Sequence, residues 1–304
     1  MHPAYSVIFF TVASGAGFGL IAFMGLGALR IDTMSTAFLL TAFGLGFVLS
    51  VGGLLSSTFH LGHPERAWRA LSQWRSSWLS REGVLAILAL MIAAVFAGLW
   101  LFFDISSAIL GIITAILAMI TVWATGMIYA QIKAVDLWHR WLTPVCYLLF
   151  SMAGGVVLFL FIHALMTGKA GWELSSVAMV ALLIAWAAKM FWWMGGDRAP
   201  TSTPGTATGL GHLGEVRLLE RPHTGSNYLL QEMGFHIGRK HARKLRLIAI
   251  VLGAVIPILL ILLAIPAPLD VLWLALAVLA HLAGMVVERW LFFAEARHAV
   301  MAYY

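Results

Sequence analysis

Eight predominantly apolar stretches divide this chain, at roughly 5–29, 36–59, 83–103, 107–130, 142–166, 174–195, 245–265 and 271–293. A helix rises about 1.5 Å per residue, so about twenty such residues cross the hydrocarbon core of a bilayer. Inside that core no water is present to bond the backbone, and each stretch can satisfy its own amide groups only as a helix. The expected fold is therefore all-α: a polytopic membrane protein with eight transmembrane helices, forming a single integral membrane domain over 1–304. Composition points the same way, because a mean hydropathy of +0.93 with 11% charged residues leaves too little polar surface for a water-soluble globule of this length.

The first stretch is preceded by "MHPAYS", which carries neither Lys nor Arg, and it lacks the small-residue cleavage pattern of a signal peptide. It is expected to be retained. The single cysteine, Cys146, falls inside the fifth stretch, so neither a disulfide nor a cysteine-ligated cluster can be built from these residues alone. Any metal centres that the protein serves are expected in another subunit. A haem would need axial ligands at matched depth on neighbouring helices, whereas His60, His163 and His281 fall at different levels.

Eight spans put the N-terminus, the connections after spans two, four and six, and the C-terminus on one side, here side A. Sixteen of the nineteen basic residues fall there, against Arg30 and Lys169 on side B, with Lys189 left inside a span. Positive residues stay on the cytoplasmic face, so side A is expected to be the cytoplasm, with both termini inside. For the short connections this asymmetry needs no further meaning than topology. The connection over 196–244 is different, because its 49 residues far exceed the usual helix link. Its first half, "GGDRAPTSTPGTATGLGHLG", reads as irregular, and its second, "GSNYLLQEMGFHIGRKHARKLR", mixes apolar and basic positions and leads into the seventh helix. It reads as a cytoplasmic docking loop. No nucleic-acid partner is expected, since no recognised binding motif accompanies the basic end.

The other long connection, over 60–82, is "HLGHPERAWRALSQWRSSWLSRE". Its Trp68, Trp74 and Trp78 with Arg66, Arg69 and Arg81 suit a segment lying at the membrane interface, where Trp prefers headgroup depth and Arg can snorkel. His60 ends the second span and Glu82 opens the third, so the two can face each other across a hairpin mouth. A histidine and a carboxyl placed there can hydrogen-bond a quinone head group and pass protons to the adjacent water, or can be ordinary interface residues; both readings stand on chemistry alone. On the last span, His281, Glu288 and Glu295 recur every seven residues and share nearly one face. They suit a proton path, or a structural network paired with Lys189 or Arg289. Trp138 and His139, in "DLWHRWLTP", can cap a quinone pocket or anchor the connection between spans four and five, and anchoring is the expectation.

"HLGHPERAWRAL" with "SWLSRE", then "GMIYAQIKAVDLWHRWLTP", "GSNYLLQEMGFHIGRKHA" and "ERWLFFAEARH" together resemble the dimethyl sulfoxide reductase anchor-subunit family, eight-span relatives of the polysulfide reductase membrane subunit. The resemblance extends over nearly the whole sequence. It implies a membrane anchor without haem or metal of its own, exchanging electrons between the quinone pool, ubiquinone or menaquinone, and two partners. Those are an iron-sulfur subunit with four clusters and a catalytic subunit that holds molybdenum on a pterin, in a bacterial inner membrane. It also implies that His60 and Glu82 bind the quinone. His63, Arg66, Arg81 and Trp78 are expected around them, with the positive charge of Arg66 or Arg81 favouring electron density on the ring. Family members that serve dimethyl sulfoxide reductase resemble this chain less in one respect, since they look periplasm-facing. The inverted charge, "MHPAYSVIFFT" and "TGSNYLLQEMGFHIGRKHA" look more like anchors of cytoplasmic sulfite dehydrogenase (quinone).

Two other classes fit parts of the sequence. A secondary transporter would show repeats and midplane Gly or Pro breaks, but the glycines of the first spans suit close packing and the polar groups gather at one end. A passive tether would leave His60 and Glu82 without a task.

Overall fold

Each apolar stretch forms one long helix: α1 (Tyr5–Gly27), α2 (Thr36–Ser56), α3 (Trp78–Phe103), α4 (Ala108–Ala130), α5 (Leu142–Thr167), α6 (Trp172–Gly196), α7 (Ala242–Ala264) and α8 (Asp270–Ala294). The structure, a computed structural model, describes residues 4–27, 34–196, 202–220, 240–266 and 270–303. Among these there is no strand, and all eight helices are long and apolar enough to cross a membrane. Local chemistry sets their ends. The hydroxyls of Ser35 and Ser107 accept from the amides of Phe38 (3.2 Å) and Leu110 (3.4 Å), capping α2 and α4. Left-handed residues stop α3 and α5, Asp104 at φ 56° and Gly168 at φ 69°.

One boundary differs instructively from the sequence pattern. The apolar run resumes at Gly83, yet α3 begins at Trp78, after an extended Ser77. Arg81 and Glu82 interrupt the hydropathy without interrupting the backbone, because each has a partner. Arg81 turns back to donate to the carbonyls of Trp74 (3.0 Å) and Arg75 (2.7 Å), and Glu82 is bonded inside the bundle. Successive helical positions diverge by about 100°, so being helical forces these two neighbours onto different faces.

Most of the helices are apolar all round, as expected where lipid is as greasy as leucine and association depends on close packing instead. At the centre lie α1 and α5, the most enclosed pair, with α2, α4, α6 and α8 around them. Glycines allow that contact: a Cβ on Gly19 would collide with the carbonyl of Ser151, and one on Gly155 with the backbone of Gly19. Ser151 reaches across to donate to the Gly15 carbonyl at 2.6 Å. Gly155→Val is expected to destabilise the protein by about 1–3 kcal/mol through overpacking. Gly44→Ala, whose methyl meets open space, is expected to do nothing. Thermal midpoints in detergent compare the two.

α7 holds a π turn at Val251–Val255 between two α-helical segments. Pro257 lacks the amide that would have bonded the carbonyl four residues back, that of Gly253. His281 of α8 takes up this carbonyl through Nδ1 at 2.9 Å. Broken helical geometry inside a membrane survives because a neighbouring side chain repairs it.

On side A, a 3-10 turn (Ser57–His60) continues α2, and a second, exposed 3-10 helix (Pro64–Gln73) leads to α3. Within 196–244, "TSTPGTAT" is not irregular throughout: Pro204–Thr208 makes one helical turn, closed by a reciprocal capping box of Thr203 and Thr206. Most of the expected docking half lies outside the described residues. The backbone of Ala299 donates to the Ala134 carbonyl at 2.7 Å, tying the C-terminal tail to the α4–α5 connection.

Candidate functional site

Glu82 is almost fully enclosed, in the first turns of α3 and about 6 Å from its start. Its carboxyl accepts from the Thr125 hydroxyl of α4. The same hydroxyl lies 3.2 Å from the Thr121 carbonyl. One hydroxyl has one proton, so this geometry serves both states of the acid: a carboxylate accepts from Thr125, whereas a carboxylic acid donates to Thr125, which then donates to Thr121. Beyond them, the Tyr129 and Tyr147 rings stack with centroids 5.8 Å apart.

The remaining residues of the expected mouth sit outside the bundle. His63 Nδ1 and Arg66 Nε lie 3.1 Å and 3.7 Å from the Glu65 carboxylate, all three exposed. Arg81 lies over the Trp78 ring at 4.5 Å. Arg69 and Arg75 cover Trp68 and Trp74 in the same way, at 5.7 Å and 5.5 Å. The described contacts thus join His63 with Arg66 and Arg81 with Trp78, while Glu82 is joined to Thr125. His60 closes the 3-10 turn at the end of α2, on the side where α3 begins; its side chain lies outside the described residues.

Deeper, three ionisable side chains form a buried network. Lys189 of α6 approaches Glu288 at 2.6 Å, and Arg289 Nε donates to the other carboxylate oxygen; all three are almost fully enclosed. Aromatic faces surround the cations, Lys189 lying 3.4 Å from the centre of the Trp192 ring and Arg289 4.2 Å from that of Tyr147. Glu295 instead takes a two-pronged bond from Arg246 of α7, both contacts at 2.9 Å. The seven-residue recurrence therefore ties α8 to its neighbours: His281 and Glu295 to α7, Glu288 to α6. Arg289, counted among the side-A basic residues on sequence, is interior, since its charge is matched within the bundle. Trp138 is likewise pulled inward, donating to the Phe292 carbonyl at 2.8 Å and stacking on that ring. His139 bonds the Ala130 carbonyl at 2.6 Å, so both residues anchor their connection.

Thr125, Tyr147 and Ser151 carry much of the interior polarity and were not singled out by motif. Their signal in the sequence is weak but physical: Tyr147 and Ser151, like Thr121 and Thr125, are hydroxyls four residues apart on one face of an otherwise apolar helix.

Eight spans with their ionisable groups gathered toward one end define a multi-pass membrane subunit rather than a soluble catalyst. The family model "DMSO reductase anchor subunit (DmsC)" matches residues 1–294, and the protein belongs to that family. Over its whole length, and 99% of the relative's, it is 34% identical to the C subunit of sulfite dehydrogenase from Allochromatium vinosum. The C subunit of anaerobic dimethyl sulfoxide reductase from Escherichia coli K12 is 26% identical, over 60% of this sequence and 66% of that relative. The protein is thus a membrane anchor subunit of a multi-subunit oxidoreductase complex, as the sequence resemblance implied.

Proposed function

We propose that this protein is the quinone-reactive anchor of a cytoplasmic sulfite-oxidising complex, held in the bacterial inner membrane. The full-length likeness to a sulfite dehydrogenase subunit supports the substrate reading. The charge asymmetry supports side A as cytoplasmic, with the termini, the 60–82 interfacial loop and the 196–244 docking loop on that face. An iron-sulfur subunit with four clusters and a molybdopterin catalytic subunit dock there and deliver electrons.

The observation that carries the quinone reading is Glu82, a carboxyl buried at the mouth of α3 with a partner suited to both of its protonation states. Reduction of a quinone needs two protons for every two electrons, and an acid in that position can supply them without rearranging its surroundings. The surroundings fit an apolar ring with a tail: Leu55 and Phe59 are exposed at the end of α2 that bears His60, and Leu79 is exposed at the start of α3. His60 donates to one ring oxygen, Glu82 provides the proton, and the mouth arginines Arg66 and Arg81 make the local potential positive. Bound there, the quinone supplies the redox chemistry. His281 serves proton movement deeper in the bundle, while Glu288 and Glu295 hold α6 and α7 in place beside it.

Purifying the complex in lipid and assaying sulfite-dependent quinone reduction tests the reading. Reduction is expected only when this subunit is present. A complex that oxidises quinol with another acceptor and ignores sulfite would instead make it a reductase anchor of the dimethyl sulfoxide type, and a protein that purifies alone would favour a transporter.

A further inference from the structure

Behind Glu82, α1, α4, α5 and α8 line a small, partly open cavity with both apolar and polar walls. Its volume is about 20 Å³, and its walls include Thr11, Thr125, Tyr147, Ser151, His281 and Arg289. That is room for a water or two and far too little for a quinone ring. Tyr147 Oη and Arg289 Nη2 are both buried, and beyond the close approach of the Tyr147 hydroxyl to Arg289 and Tyr129 neither makes a well-formed hydrogen bond to a described residue. A guanidinium donor short of a well-formed bond is costly to enclose, and water beside it would complete its bonding. Acceptors converge on the same space. Because His281 Nδ1 faces a carbonyl, it carries the proton of the neutral ring, and Nε2 is left as an acceptor close to Gly154, which also lines the cavity. Thr11 and Ser151 donate to backbone carbonyls and keep oxygen lone pairs available.

The cavity is oriented. Counting helical rise from the side-A ends, Thr125, Tyr147 and Arg289 lie about 8 Å deep and His281 about 20 Å. From the level of His281 onward, α1, α5 and α8 offer Phe18, Leu20, Met24, Phe159, Leu160 and Leu274, all buried and apolar. Charge gives it a polarity too. Lys189 and Arg289 both face Glu288 on one wall, and Thr125 of α4 leads to Glu82 on another.

We propose that this cavity holds an internal water cluster that exchanges protons with Glu82 through Thr125 and ends at His281, a reservoir open toward side A alone. The water cluster stands on the geometry; its use rests on the quinone reading above. For each quinone reduced, two electrons come from the partner subunits and two protons leave by way of Glu82, each replaced from side A through the cluster. No proton is drawn from side B.

Cryo-electron microscopy of the intact complex in lipid nanodiscs, at a resolution that shows waters, is the first test. Water density within hydrogen-bonding distance of Tyr147 Oη and Arg289 Nη2 is expected; a dry cavity, or density for a ring, overturns the proposal. The second test is kinetic. Gly154→Ala adds a methyl that meets Ala16 and His281 Nε2 at 3.5–3.6 Å, ordinary contact that leaves the fold intact while taking space from water. Together with Tyr147→Phe it is expected to slow quinone reduction by about tenfold or more and to raise its solvent isotope effect, with dye-linked oxidation by the partners unchanged. Wild-type rates and isotope effects in both variants would sink the reservoir and leave the quinone site standing. A wild-type complex without any quinone turnover would sink the quinone reading, while the water density would still be tested.

Discussion

Replacing Glu288 by leucine is expected to cost about 3–5 kcal/mol and to leave little correctly assembled subunit in the membrane. The carboxylate lies between two cations, 2.6 Å from Lys189 and bonded by Arg289, and both cations are almost fully enclosed by the bundle. Removing it leaves two like charges enclosed among Trp192, Tyr147 and Phe292. The stabilising role belongs to the set rather than to any pair. A triple replacement, Lys189→Met with Glu288→Leu and Arg289→Met, is therefore expected to recover most of the lost stability, since it removes the charges together. Thermal midpoints of the detergent-solubilised complex, read by size-exclusion chromatography, separate the two variants. A wild-type midpoint for Glu288→Leu alone would show that the network does not hold the bundle.

Glu82→Gln is expected to lower quinone turnover by about a hundredfold or more, the range over which a positioned proton donor acts. The amide keeps the shape and still accepts from Thr125, so stability should change by no more than about 1 kcal/mol. Dye-linked oxidation, which bypasses the membrane, should be untouched. Thr125→Val is expected to fall between wild type and Glu82→Gln, because it leaves the acid in place and takes away the group that follows its proton. His60→Ala should resemble Glu82→Gln in turnover. Parallel quinone-linked and dye-linked rates on one preparation check all three, and equal losses in both assays would place the fault in assembly instead.

The eight helices were legible because each needs a long apolar run and nothing else in the sequence imitates one. The start of α3 was not. Hydropathy treats Arg81 and Glu82 as an interruption, whereas the backbone carries on through them once each side chain has a partner, and those partners lie on other segments. That same shift explains why six residues of one sequence motif do not form one cluster: helical neighbours point apart, so Arg81 joins Trp78 on the outside while Glu82 enters the bundle. Arg289 shows the complementary failure. An arginine near a helix end reads as a topological charge, and only packing places Lys189 and Glu288 around it. Pro257 announced a freed carbonyl four residues earlier, yet which side chain would repair it depended on how α8 lies against α7. Scattered hydroxyls gave the weakest signal, since Tyr147, Ser151 and Thr125 differ little from residues that merely bond their own helix.

A quinone met at the side-A mouth of α2 and α3 is the step on which the proposed electron path depends. The most direct measurement of it is photolabelling of the intact complex with an azidoquinone, followed by peptide mapping. Label is expected on peptides from 55–82, displaced by excess unlabelled quinone and reduced by Glu82→Gln. Displaceable label confined to a partner subunit, or to the side-B ends of the helices, would contradict it.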